Sequence, residues 1–136
     1  MRFFFVFAAI ASLAACAAGD GTGGGITPLE PTFESIQANI FDFRCIECHR
    51  PAGEGPFSLL AEDSYESLVN VASTNLCVGD SDRVEPGDPD DSCIVKAIEG
   101  TVSPRMPLDG PPYLSDDEIQ AIRDWIQGGA EPPDAP

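Results

Sequence analysis

The stretch Cys45-Ile46-Glu47-Cys48-His49 constrains this chain more than any other, because five consecutive residues hold two of its five cysteines and its only histidine. Thiols three positions apart lie about one helical turn from each other, and a histidine directly after the second sets an imidazole beside them. An apolar repeat feeds the stretch. Phe33, Ile36, Ile40 and Phe43 recur at intervals of three and four, which predicts a helix beginning near Pro31 or Thr32 with those four side chains on one stripe. Pro51, Gly53, Gly55 and Pro56 then break regular structure just beyond His49.

The order C-x-x-C-H is the attachment signature of a c-type haem. Each thiol forms a thioether with a vinyl group at the porphyrin edge, and the adjacent histidine is left beneath the macrocycle to bind iron through one ring nitrogen. Two other chemistries use similar residues. A thioredoxin-like pair belongs at a helix N-terminus after a strand, whereas an apolar helix precedes this one. Structural zinc needs a fourth ligand, for which Cys77 and Cys93 are the cysteine candidates. The expectation is therefore one haem c on Cys45, Cys48 and His49.

With a single histidine, no second imidazole of the same chain reaches the iron, so a second axial ligand must be of another kind. The two methionines are Met1 and Met106. Met1 belongs to a leader: Arg2, an apolar run from Phe3 to Ile10 and small residues up to Ala15 have the layout of a secretory signal peptide. Met106 sits in Ser103-Pro104-Arg105-Met106-Pro107. Core filling is the ordinary role of a methionine, but prolines on both sides limit the loop's freedom and suit a fixed thioether ligand.

Leu13-Ala14-Ala15-Cys16 resembles the bacterial lipoprotein processing box, in which the cut falls before a cysteine that carries a diacylglycerol. A plain signal peptide ending near a cysteine is the other reading. The sequence divides into a lipoprotein signal peptide at 1–15, a glycine-rich, lipid-anchored tether at 16–29, one domain at 30–130 and a proline-rich tail at 131–136. The expected location is exported and held at a bacterial membrane surface. The outer membrane facing the periplasm is favoured, because Ala17 is not the aspartate of an inner-membrane retention signal. The formal charge of −16, from 23 acidic and 7 basic side chains, excludes a nucleic-acid binder and makes a partner with a basic docking surface the natural expectation.

Three further helices are predicted. One runs from Ser64 to about Ser73, capped by Asp63 with Glu66 and burying Tyr65, Leu68, Val69 and Ala72. A short one starts at a cap on Asp91 or Ser92, carries Ile94, Val95 and Ile98, and stops at Gly100. The last has the capping box Ser115 and Glu118, an Ile119, Ile122 and Ile126 face beside Trp125, and a stop at Gly128-Gly129. No strand alternation is convincing. The fold class is all-α, about four helices with long loops, and such loops make sense if they wrap something.

That order of apolar helix, C-x-x-C-H, glycine-rich loop, middle helices, Met-Pro loop and terminal helix resembles the class I cytochrome c fold. Three segments resemble the small cytochrome c domains of bacterial exported proteins: Val84-Glu85-Pro86-Gly87-Asp88-Pro89-Asp90-Asp91-Ser92, Arg105-Met106-Pro107, and Leu114 to Ile119 running on to Trp125-Ile126-Gln127-Gly128-Gly129-Ala130. The resemblance spans roughly Glu30 to Ala130. It implies a wrapped covalent haem with His49 below and Met106 above, and contact between the first and last helices. Cys77 and Cys93, sixteen positions apart around an acidic loop, remain for a disulfide or for two buried thiols. The function implied is one-electron relay between protein donor and acceptor, not catalysis. The alternatives are an accessory subunit of a respiratory or photosynthetic complex, and a peroxidase or gas sensor with a displaceable sixth ligand.

Overall fold

The computed structural model describes residues 28–134. The signal peptide, Cys16, nearly all of the tether and the last two residues lie outside them. Among the described residues the chain is mainly helical without a named strand, and no helix is long and apolar enough to cross a membrane.

The first helical rod starts where Thr32, in extended backbone, accepts a hydrogen bond from the Ser35 amide at 3.3 Å. It comprises α1 (Phe33–Ile36), a π-helical segment (Gln37–Phe41) and α2 (Asp42–Arg44). In the π-segment the Asp42 amide bonds back to Gln37, and the Phe41 carbonyl accepts from both Cys45 at 3.0 Å and Ile46 at 3.1 Å. A π-turn accommodates one extra residue, which sets every later side chain back by about 100°. This corrects the expected stripe. Phe33, Ile36 and Ile40 are buried as anticipated, but Phe41 joins them and Phe43 is 75% exposed.

Gln37, buried inside the π-segment, makes polar bonds that tie the rod to the loop beyond it. Its amide nitrogen donates to the Leu59 carbonyl at 2.9 Å and to Asp42 at 2.7 Å, and its oxygen accepts from Ser64 at 2.6 Å. Ser64 is fully buried, so the start of α3 (Ser64–Leu68) is fastened to the first rod. The helix is shorter than the sequence suggests, and Asp63 makes no side-chain cap. Val69 turns to extended backbone and bridges to Val84, while Ala72 bridges to Asp82. These long-range backbone pairs win over local helix propensity.

Ser92, not Asp91, opens α4 (Cys93–Glu99), which closes on Gly100 at φ +78°. The Ser92 hydroxyl does not cap the helix; it donates to the Asp88 carbonyl at 2.8 Å and accepts from the Glu85 amide at 2.9 Å, cinching the proline-rich loop. The last helix, α5 (Asp116–Gln127), has both arms of its capping box and buries Ala121, Ile122, Trp125 and Ile126. It packs against α4 and α1. Phe33, edge-on to Tyr65 at 5.2 Å and tilted on Trp125 at 5.3 Å, is the joint between first and last helices.

Candidate functional site

The rod delivers Cys45, Cys48 and His49 into a tight turn. The Cys45 carbonyl accepts from Cys48 at 3.2 Å and from His49 at 2.9 Å. Both thiols are free and half-buried. The extra residue in the π-turn rotates Cys45 to the core side, where it packs with Ile46 against the apolar cluster.

The loop from 50 to 59 folds back over His49. Gly55 donates to the Cys48 carbonyl at 2.8 Å and Leu59 to the His49 carbonyl at 2.7 Å. The two glycines are required by space. A Cβ on Gly53 would stand 2.2 Å from the Cys48 oxygen, and one on Gly55 would stand 2.6 Å from Nδ1 of His49. The loop thus lies directly on the imidazole. Nδ1 is 3.3 Å from the Phe57 carbonyl, an acceptor, so Nδ1 carries the proton and Nε2 keeps its lone pair. The Phe57 ring tilts on the imidazole at 4.5 Å. Burial holds the His49 pKa below its ordinary value; the Phe57 hydrogen bond opposes this and the Arg83 charge adds to it. The ring is neutral and oriented, the state in which histidine binds a metal.

Cys45 differs from a reactive redox thiol. Burial pushes its pKa up to about 12, with Arg44 opposing and Asp109, Cys48 and Glu118 adding. At neutral pH it is a protonated thiol, unlike the low-pKa nucleophile of a thioredoxin-type pair. The zinc reading loses its cysteine ligands, because Cys77 and Cys93 stand at disulfide distance from each other, with S–S 2.04 Å and Cα–Cα 5.8 Å. Among the described residues no three His, Cys, Asp or Glu side chains gather into a metal cluster.

Met106 is half-buried and packs against the same apolar cluster as Cys45 and Phe57. Its amide bonds to the Ala97 carbonyl at 3.0 Å, so α4 fixes the loop. The loop and the C-x-x-C-H segment converge: Arg44, next to Cys45, donates to the Pro112 carbonyl at 2.6 Å, and Asp109 and Glu118 lie close enough to act on the Cys45 thiol. Arg105 stacks on Tyr113 at 4.1 Å and donates to the Ile98 carbonyl at 3.0 Å, bracing the loop from the other side.

The residues fit a c-type haem by their donor chemistry: two uncommitted thiols, a neutral imidazole with Nε2 available, and half-buried apolar side chains around them. Trp125 and Tyr65 serve elsewhere, donating to the carbonyls of Glu131 at 2.9 Å and Ala130 at 3.0 Å. Sequence reasoning missed Arg83, whose guanidinium lies 4.1 Å from the Phe57 ring centroid. It also missed the Phe57 carbonyl as the partner of His49. Neither has a local signature: Phe57 lies 8 positions from His49 and Arg83 lies 26 from Phe57, and only the fold brings them together. No family model matches the chain, and no curated protein or solved structure does.

Proposed function

We propose that the chain is an exported, lipid-anchored c-type cytochrome of class I-like fold, a one-electron carrier with one haem c joined to Cys45 and Cys48. His49 is the lower ligand and Met106 the upper one. The observation that carries the reading is the His49 cradle, in which Gly55 brings the loop onto the imidazole, Gly53 brings it onto the Cys48 carbonyl, and the Phe57 carbonyl fixes the ring's tautomer. A haem with one histidine and one methionine ligand supplies reversible one-electron chemistry at a raised potential. What the chain contributes is rigidity. The His49 backbone is pinned at its amide and its carbonyl, and the Met106 amide is pinned to α4, so ligands set this way move little when charge changes. The electron donor and acceptor are proteins with basic docking surfaces, and Cys16 is the site of the lipid.

Expression in a bacterium with haem-attachment machinery tests this. The wild-type chain should retain haem through denaturing electrophoresis, and the Cys45→Ala, Cys48→Ala double variant should not. Met106→Ala should keep the covalent haem while losing the weak near-infrared band of methionine-to-ferric-iron ligation and lowering the potential. An unchanged spectrum and potential would assign the upper position to another group. Cys16→Ser should move the protein from the membrane to the soluble fraction; retention at the membrane would refute the anchor.

A further inference from the structure

Behind the His49 cradle lies a cation in a chain dominated by carboxylates. Arg83 is half-buried, and its Nη1 donates to the Ser67 carbonyl at 2.7 Å. Its guanidinium stacks on the Phe57 ring at 4.1 Å, and that ring lies 4.5 Å from the His49 ring. The guanidinium and the imidazole both pack on the Phe57 ring and are therefore separated by no more than about 9 Å, in a half-buried setting that screens the charge less than open water does. The backbone holds Arg83 from both sides, its amide donating to Val71 at 2.7 Å and its carbonyl accepting from Ile94 at 3.0 Å. None of the four ion pairs among the described residues includes it. No carboxylate among the described residues pairs with its positive charge.

We propose that Arg83 is a positioning and potential-setting residue: it clamps Phe57 against His49 and its charge favours the reduced state of the haem site. This rests on the cytochrome reading. The reduction adds one electron, ferric to ferrous, with no bond made or broken and no proton taken up. A fixed cation stabilises the state that carries the extra electron. A unit charge about 10 Å away in a medium of effective dielectric about 20 shifts such an equilibrium on the order of tenfold. Desolvation of the guanidinium also keeps its pKa below the ordinary arginine value without neutralising it.

The experiment is a mediated redox titration of the haem-loaded full chain and three variants: Arg83→Gln, Arg83→Met and Arg83→Lys. The two neutral variants should lower the ferrous-to-ferric ratio at fixed poise about tenfold, equivalent to about 59 mV for one electron. Arg83→Lys, which keeps the charge, should recover most of the shift. The difference should persist at high salt, because a half-buried charge is screened less than a surface one. Pairing Gln with Met, which preserves the apolar stem over Phe57, leaves a usable variant if one fails to accumulate. Equal potentials in wild type and the neutral variants would overturn the proposal, as would an Arg83→Lys potential as low as that of Arg83→Gln, which would mark a role in packing alone. A wild-type chain that takes up no covalent haem would instead sink the cytochrome reading.

Discussion

Replacing Gly55 with alanine tests the geometry of the site with a single methyl group. The new Cβ would stand 2.6 Å from Nδ1 and 2.8 Å from Cγ of His49, and 2.9 Å from the Cys48 carbonyl oxygen. Ordinary contacts are near 3.5 Å or more, so either the imidazole or the loop must move by close to 1 Å. Neither has slack: the loop is held by the bond from Gly55 to Cys48 at 2.8 Å, and the ring by its bond to Phe57. Overpacking of this kind costs about 1–3 kcal/mol, and loss of one partly buried hydrogen bond adds about 0.5–1.5 kcal/mol. A total of about 2–4 kcal/mol corresponds to a fall in Tm on the order of 10–25 °C for a domain of this size. Thermal melts followed by circular dichroism measure it, and under the proposed cytochrome reading the ferric absorption spectrum of the haem-loaded chain reports the histidine directly. Gly79→Asn is the control, since nothing lies within 4 Å of a Cβ there and asparagine tolerates its φ of +81°. If Gly55→Ala melts and absorbs like the wild type, the loop does not rest on His49 and the cradle argument fails.

Two further outcomes concern the rest of the fold. Replacing Cys77 and Cys93 together by alanine removes a cross-link over 16 positions, which should cost about 3 kcal/mol by loop entropy; urea unfolding measures it, and the proposed haem attachment at Cys45 and Cys48 should be unaffected. Asp91, which Lys96 and Ser81 hold by hydrogen bonds, has a pKa depressed below 3.8. A depressed carboxylate stabilises the fold above its unfolded pKa, and that contribution disappears as pH falls through 3.8 toward the folded value. Asp91→Asn should therefore flatten the acid limb of the stability curve measured by urea titration, and an unchanged limb would show that the Lys96 contact contributes nothing.

The last helix was the most legible part of the sequence, because its signals are local. Ser115 and Glu118 sit three apart, both arms of the cap form, and Ile122, Trp125 and Ile126 fall on the buried side. The start of the first helix at Thr32 and the stop of α4 at Gly100 were legible for the same reason. Three things were not. The π-segment leaves no mark on an apolar repeat, so Phe43 was assigned to the face that Phe41 occupies. The helix from Ser64 was read five residues too long, because Val84 and Asp82, distant in sequence, capture Val69 and Ala72. At the site, the motif itself is plain in the sequence, and Gly53 and Gly55 read there only as breakers of regular structure. That they let the loop approach the imidazole and the Cys48 carbonyl, and that Arg83 stands behind Phe57, follows only from chain segments meeting in space.

The π-turn at Gln37–Phe41 matters to anyone who would transplant this motif into a designed helical scaffold. A graft that begins at Cys45 on an unbroken α-helix would present the first thiol about 100° away from its native direction, toward the side on which Phe43 now faces solvent. The portable unit therefore begins at Gln37 and runs through Leu59, because the same glutamine that occupies the wide turn also anchors the returning loop. Cut any shorter, the five-residue signature would keep its letters and lose its aim.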